Sequence, residues 1–249
     1  MWTIAARELR SLLSSPLAWS ILAVMQLISG WNFAKIVELF LRPDIQSRLA
    51  NEPNAPGITM MIVSSLLSWI GIILLLVMPL LTMRLLSEER RNKTLPLLLS
   101  APISMTSIVM GKFLGLMSFL LIILAMLMLM PLSLLLGGHL DFGHLAAGLL
   151  GTILLLGALA AIGLYISTLT AHPTIAAIST FGVLLFLWMI DWAEYLEEQG
   201  GVLTYLSMMN HYQPLLEGIF STEDVIYYVL FITLFLILSI HRLDADRIQ

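Results

Sequence analysis

The chain has 249 residues, of which 59% are hydrophobic and only 11% are charged, and its formal net charge is −4. Soluble domains carry roughly a quarter charged residues, so this composition predicts an integral membrane protein, and the polar segments are too short to bury the core of a separate soluble domain. The lack of cysteine excludes disulfides, thiol nucleophiles and thiolate metal sites.

The first fifteen residues, MWTIAARELRSLLSS, have the periodicity of an amphipathic helix. Its two faces consist of Trp2, Ala5, Leu9 and Leu12 on one side and Thr3, Arg7, Arg10 and Ser14 on the other. We therefore predict that residues 1–15 form a helix on the cytoplasmic leaflet, with the arginines toward lipid phosphates. The alternative is a simple start to the first membrane span. A cleaved signal peptide is not expected, because the next apolar run continues through Phe33 without a small-residue cleavage site.

Six apolar runs have the length and composition of membrane spans, which need about 20 residues, although the last run is short. They cover residues 17–41, 58–83, 108–137, 145–171, 173–190 and 225–240. The chain is therefore predicted to be one all-α transmembrane domain over residues 1–249. Pro173 predicts a tight turn between the fourth and fifth spans, and Pro79 and Pro131 predict bends in the second and third.

The positive charges predict the orientation of the spans. With the N-terminus in the cytoplasm, nine of the twelve Lys and Arg residues lie inside, namely Arg7, Arg10, Arg84, Arg90, Arg91, Lys93, Lys112, Arg242 and Arg247. Because cytoplasmic loops are enriched in Lys and Arg, we expect both termini and the 84–106 loop in the cytoplasm.

The outer segment 191–224 is long and mixes aromatic residues and leucines with carboxylates. It divides at Gly200-Gly201, and we predict two short helices that dip into the outer leaflet. Such helices would bury Leu203, Leu206, Leu215 and Leu216. The alternative is a loose polar loop.

The stretch SEERRNKTLPLLLSAPIS, residues 87–104, follows the second span. Asn92 is predicted to end that span's helix in a left-handed turn, and Thr94 to cap a short helix with Pro96 in its first turn. Pro102 would end this helix, and Ser104 would cap the next. The short helix would present a row of leucines: Leu95, Leu97, Leu98 and Leu99.

An isolated short helix is marginal in water, and an exposed leucine row is unusual on a lone monomer. A second protein that receives this element would explain both features. The residues alone leave a second interpretation equally open, in which the stretch is a charged loop that only sets the topology.

The sequence RLLSEERRNKTLPLLLSAPISMTSIVMGKFLG resembles the cytoplasmic loop of ABC-2 type permeases. The matching features are Glu88-Glu89-Arg90, Thr94-Leu95, Leu97 to Leu99, Ser100-Ala101-Pro102 and Gly111-Lys112. The tail from His211 to Arg247 is similar to the last loop and last span of the gliding-motility and copper-enzyme-maturation branch of that family.

This resemblance implies the transmembrane half of an ABC transporter of the bacterial inner membrane, with a type V exporter-like fold. Its loop would be a coupling helix that docks on a separate ATPase, present in two copies, and a second permease copy or homologue would complete the complex. The N-terminal helix would be a connecting helix, and the outer helices would form a re-entrant segment. The residues implied in ATPase coupling are Glu88, Glu89, Arg90, Arg91, Lys93, Thr94, Leu95, Leu97, Leu98 and Ser100.

The chain lacks the motifs of an enzyme. Gly111-Lys112 has Thr106 where a P-loop needs its first glycine and Phe113 where it needs Ser or Thr, so ATP and Mg²⁺ are expected in the partner subunit. In HLDFGH, a metal site from His139, Asp141 and His144 is less expected than an ordinary polar turn. The methionines of MLMLM, Met126 to Met130, point all round a helix, which favours apolar packing over copper binding.

Small and polar residues mark several spans. In the fourth, Ala147 with Gly151 and Gly157 with Ala161 predict close approach to neighbouring helices. Polar residues in the first, second and fifth spans are Gln26, Asn32, Ser64, Ser68, Thr174 and Ser179. They could line a path between two permeases, but ties between helices are favoured because such pairs need no ligand.

No charge falls at mid-membrane, and no internal repeat or buried ionisable residue is evident, which disfavours a secondary transporter. We expect an amphiphilic cargo or force transmission rather than ion transport. The alternative function is a non-transporting subunit that passes ATPase-driven motion to periplasmic partners. The chain is also expected to contact the lipid bilayer, and no nucleic-acid partner is expected.

Overall fold

The structure, a computed structural model of the protein, describes residues 1–51, 57, 59–95, 103–136, 140–194 and 207–248. Helices and short connections make up this part of the chain, with no β-strand in it. The helices are α1 (Trp2–Leu13), α2 (Pro16–Phe40), α3 (Pro43–Asn51), a π-helical turn (Thr59–Ser64) leading into α4 (Ser65–Thr82), α5 (Ser87–Arg91), α6 (Met105–Ser133) with a 3₁₀ turn (Leu134–Leu136), α7 (Phe142–Leu169), α8 (Pro173–Glu194), α9 (Met208–Leu216) and α10 (Thr222–Ile248).

Six helical segments in the described part are long and apolar enough to cross a membrane, which confirms the predicted number. They begin at Pro16, Thr59, Met105, Phe142, Pro173 and Thr222. The predicted turn before Pro173 is also confirmed, since α7 ends at Leu169 and α8 begins at Pro173.

Helix α10 is longer than the sixth predicted span, 225–240, at both ends. Helix α10 begins at Thr222, where Glu223 and Asp224 lie in its first turn and suit the positive end of the helix dipole. At the other end the charged sequence HRLDADR continues the helix, with Arg242 and Asp246 one turn apart and 3.6 Å from each other. The helix therefore extends beyond its apolar stretch in both directions.

Helix α7 lies at the centre of the fold and packs against α4, α6, α8, α9 and α10. Its glycines permit the close approach that the sequence predicted: a Cβ added at Gly151 would lie 2.8 Å from Leu215 Cβ of α9, and one at Gly157 would lie 2.8 Å from Ile232 Cδ1 of α10. A third contact was not predicted, in which Gly163 accommodates Thr82 of α4.

The N-terminal helix α1 has the predicted amphipathic character, but it also packs against protein. Ile4 and Ala5 are buried against α6, where Gly111 and Gly115 leave room for them and for Glu8. Trp2 remains 75% exposed. Helix α1 therefore packs directly against α6, the helix of the third predicted span.

Pro79 and Pro131 lie inside α4 and α6, close to the ends of those helices. Helix α4 stops at Thr82, and residues 83–86 form a turn before α5. Helix α6 stops at Ser133, two residues after its proline. The second span therefore does not continue as one regular helix into α5.

Candidate functional site

The start of α5 is fixed to the end of α7. The hydroxyl of Ser167 accepts hydrogen bonds from the backbone amides of Leu86 and Ser87, at 3.0 and 3.1 Å. Ser87 is buried, and its hydroxyl donates to the carbonyl of Met83. Because amides at the start of a helix lack partners within the helix, these bonds position α5 against the helix bundle.

Four charged side chains form a cluster that we call the ionic junction: Arg7, Glu8, Glu89 and Lys112. Lys112 Nζ lies 2.9 Å from Glu89 Oε1 and 3.2 Å from Glu8 Oε2, and Arg7 Nη2 lies 3.2 Å from Glu89 Oε1. The side chain of Lys112 is only 2% exposed, and a buried ammonium is stable only beside opposite charges. The junction therefore joins α1, α5 and α6.

A second ion pair joins α5 to the end of α10. Arg90 Nη2 pairs with Asp246 Oδ2, and their side chains are 19% and 13% exposed. The carboxylate of Asp246 also lies near Arg242 of its own helix. Helix α5 is thus bound to α1, α6, α7 and α10, although it has only five residues.

The prediction that Asn92 adopts the left-handed conformation is wrong. Asn92 has φ −81°, and the left-handed residue is Lys93 with φ 57°. Lys93 N donates to Arg90 O at 3.1 Å and Thr94 N donates to Glu89 O at 3.0 Å, which is the Schellman pattern. In that pattern the left-handed residue is the one after the cap, so the helix extends one residue further than predicted.

The prediction that Leu95 is presented outward is also wrong, since Leu95 is 5% exposed and belongs to the hydrophobic core. It follows directly after the turn at Lys93, which directs the chain back toward the bundle. Leu97, Leu98, Leu99, Ser100 and the prolines at 96 and 102 lie outside the described residues. Ser104 caps α6 as predicted, since its hydroxyl accepts from Ser107 N at 3.2 Å.

One side of α5 and the turn after it stays exposed: Glu88, Arg91, Asn92, Lys93 and Thr94. The Thr94 hydroxyl donates to Glu89 O at 3.2 Å. A polar cleft of about 270 Å³ lies beside this surface, lined by Met83, Arg84, Glu88, Arg91, Asn92, Pro173 and Thr174. Thr174, a candidate for a membrane path, therefore lines this cleft.

Ser64 connects three elements at the end of the bundle opposite α5. Its hydroxyl donates to Leu216 O at 2.6 Å, so the 2.9 Å contact with His144 Nε2 needs the proton on that nitrogen. Asp141 caps α7 by accepting from the amides of Gly143 and His144. The expected helix tie is thus confirmed for Ser64, and Asp141 and His144 serve the fold. His139 lies outside the described residues, within which no three potential ligands form a metal cluster.

The other polar candidates differ from Ser64. Gln26 Oε1 and Asn32 Oδ1 are buried and have no hydrogen-bond partner among the described residues, and the same holds for Ser29 Oγ between them. The spacing of three residues places all three on one face of α2, a signal that the sequence carried. Ser68 is half-buried, and Ser179 is exposed while its neighbour Thr180 is buried.

Helix α9 packs against α7, α8 and α10, and its Tyr212 reaches α4. It confirms the predicted burial of Leu215 and Leu216, whereas Leu203 and Leu206 lie outside the described residues. Tyr212 is fully buried; its hydroxyl lies 3.1 Å from Leu67 O, to which it can donate, and 3.0 Å from the hydroxyl of Thr152, with which it can bond instead. Burial raises the pKa of Tyr212 well above its usual value, so the hydroxyl stays protonated at physiological pH.

Helix α10 also contacts α9. His211 Nδ1 lies 2.7 Å from Asp224 Oδ1, and both side chains are largely buried. The ring of Tyr227 stacks on His211 at 4.0 Å, and Tyr228 donates its hydroxyl proton to Met208 O at 2.8 Å.

Buried ionisable residues are therefore present, contrary to the sequence prediction. They are Lys112 and the His211–Asp224 pair, which lie toward opposite ends of the bundle. The signal for Lys112 was its position as the one charge in the third predicted span.

The comparisons with known proteins agree with this geometry. Residues 2–246 match the family model described as ABC-2 family transporter protein, which covers nearly the whole chain. No curated protein matches the chain.

Proposed function

Because the chain belongs to the ABC-2 transporter family, we propose that it is the permease subunit of an ABC transporter in the bacterial inner membrane, with both termini in the cytoplasm. It pairs with a second permease, identical or similar, and with two copies of a separate ATPase subunit that binds ATP and Mg²⁺. The cargo is amphiphilic, or the output is mechanical force on a periplasmic partner.

The observation that carries this proposal is the two-sided character of α5. On one side, Glu89 and Arg90 are engaged in ion pairs to α6 and α10. On the other side, Glu88 and Arg91 are exposed beside a polar cleft. A short helix that is anchored to several membrane helices and also accessible from outside is suited to receive a push and to pass it on as a rigid-body movement.

Photo-crosslinking tests where the ATPase docks. The chain is expressed with a candidate ABC ATPase subunit from the same genome, and a photoreactive amino acid replaces Glu88 in one variant and Phe220 in another. Both residues are exposed, but Phe220 lies beside the outer end of α10. We expect crosslinks to the ATPase from position 88 only. Crosslinks from position 220, or from neither, would contradict the proposal.

Charge reversal tests whether the exposed side of α5 contributes to docking. Glu88→Arg is expected to lower both the amount of ATPase that copurifies and its stimulation by the permease. Arg42→Glu is the matched control, because Arg42 is also exposed and lies after α2, away from α5. Unchanged copurification and stimulation in Glu88→Arg would remove the proposed role of α5.

A further inference from the structure

We propose that α10 is a rigid strut that transmits movement of α5 to α9 at the opposite face of the membrane, with Arg90, Asp246, Asp224 and His211 as its positioning residues. The proposed function supplies the source of the movement, which is the ATPase at α5. The strut itself is inferred from the contacts at the two ends of α10 and from the regularity of the helix between them.

At its C-terminal end, α10 is attached to α5. Asp246 pairs with Arg90, and most of both side chains is shielded from solvent. Ion pairs between a guanidinium and a carboxylate are charge-assisted hydrogen bonds and are stronger than neutral ones, more so where water is partly excluded. Arg242 adds a weaker contact 3.6 Å from the same carboxylate. A movement of α5 therefore carries the end of α10 with it.

At its N-terminal end, α10 is attached to α9 by three neighbouring contacts. Asp224 contacts His211 at 2.7 Å, Tyr227 stacks on the same imidazole at 4.0 Å, and Tyr228 donates a hydrogen bond to Met208 O at 2.8 Å. These contacts lie on two successive turns of α9. Because of these contacts, α10 cannot slide past α9, and a movement of α10 would displace α9.

Between these ends α10 has no interior hinge. Its 27 residues include no proline and no glycine, which are the usual causes of sharp kinks. Asp224 and Asp246 are 22 positions apart, which at 1.5 Å per residue is about 33 Å along the axis. This distance is close to the thickness of the hydrocarbon core, about 30 Å, so the Arg90–Asp246 and His211–Asp224 contacts lie near opposite membrane surfaces.

A different route from α5 runs through α4, which is the helix before it in the chain. That route is interrupted, because residues 83–86 form a turn, Pro79 lies inside α4 and a π-helical turn precedes Ser65. A push on α5 can be absorbed by bending at these points. Of α4 and α10, helix α10 offers the more rigid connection, although it is distant from α5 in the sequence.

Thiol labelling tests the strut. Because the chain has no cysteine, Gln213→Cys places a single thiol at an exposed position of α9. The complex with the ATPase is reconstituted in nanodiscs, and the rate of reaction with a membrane-impermeant maleimide is measured without nucleotide and with ATP, Mg²⁺ and vanadate. We expect the rate to change with nucleotide. An unchanged rate in a complex that hydrolyses ATP would overturn the strut but leave the proposed function intact.

Variants at the two ends of α10 complete the test. Asp246→Asn and Asp224→Asn are each expected to abolish the nucleotide-dependent change in labelling while the ATPase still copurifies. Arg242→Ala is the control and keeps the change, because Asp246 retains Arg90. The swap Arg90→Asp with Asp246→Arg should restore the change, which a loss of folding would not allow. Persistence of the change in Asp246→Asn would overturn the strut, and failure of the ATPase to bind the parent chain would overturn both proposals.

Discussion

Two contact regions at opposite ends of the molecule are held together by different forces. The ionic junction joins α1, α5 and α6 through charges, with one buried ammonium between two carboxylates. The seat of α9, which we define as Gly71, Gly148, Gly151 and the Leu67 carbonyl, holds Tyr212 and Leu215 by close packing and hydrogen bonds.

This difference predicts opposite sensitivities. Ion pairs depend on the charge of each partner and tolerate small changes in position, because Coulomb energy falls off slowly with distance. Close packing depends on volume, since one added methylene in a filled core forces its neighbours to move. Charge substitutions should therefore damage the ionic junction most, and size substitutions should damage the seat of α9 most.

The largest expected effect is that of Lys112→Met. Methionine keeps much of the apolar volume of the lysine stem but leaves Glu8 without a cation and leaves Glu89 with only the exposed Arg7. Removal of one member of a buried ion pair costs about 3–5 kcal/mol, so we expect a loss of this order in the free energy of unfolding. Chemical denaturation of the detergent-solubilised protein measures it.

Lys35→Met is the matched control for this prediction. Lys35 also pairs with a carboxylate, that of Glu38 at 2.8 Å, but both side chains are 55% exposed. Exposed ion pairs contribute little to stability, so the control should unfold close to the parent protein. Equal losses in the two variants would mean that burial is not what makes the junction sensitive to charge.

The second-largest expected loss of stability is that of Gly151→Leu, which tests the seat of α9. A Cβ at this position would lie 2.8 Å from Leu215 Cβ, and a full leucine would push α9 away from α7. Overpacking of this kind typically costs about 1–3 kcal/mol. We expect a lower free energy of unfolding and faster maleimide labelling at Gln213→Cys.

Gly182→Leu controls for the loss of a helical glycine. A Cβ at Gly182 has no atom within 4 Å, so the substitution introduces no clash. The same leucine there should leave both stability and labelling nearly unchanged. If Gly182→Leu were as harmful as Gly151→Leu, the close approach of α9 to α7 would not be the cause.

The parts of the fold that local chemistry determines could be predicted from the sequence. The six spans follow from apolar run length, the cap at Ser104 from residue type, and the turn before Pro173 from the missing amide hydrogen. Burial of Leu215 and the close approach at Gly151 also follow from residue type. A leucine next to carboxylates in an outer segment favours a buried position, and small residues in an apolar helix favour close contact with a neighbouring helix.

The candidate site was less predictable because its contacts are between residues distant in the sequence. Lys112 meets Glu8 across 104 positions, and Arg90 meets Asp246 across 156, and no local pattern encodes either pair. Leu95 was assigned to the wrong side because its direction depends on the turn at Lys93. The contact between His211 and Asp224 spans only 13 positions, but a loop lies between them, and helical periodicity does not extend across it.

The smallest effect is expected from Tyr212→Phe, which removes a hydroxyl from the seat of α9 and keeps the ring. The loss should be about 1 kcal/mol, the usual net value of one hydrogen bond. Neither partner is left without a bond, because Leu67 O belongs to a helix and the Thr152 hydroxyl has Gly148 O at 2.8 Å as an acceptor. A double-mutant cycle with Thr152→Val measures how much of the loss comes from the pair. A loss as large as that of Gly151→Leu would mean that the hydroxyl, rather than the packing of the ring and Leu215, holds α9, and the contrast between the two ends of the molecule would fail.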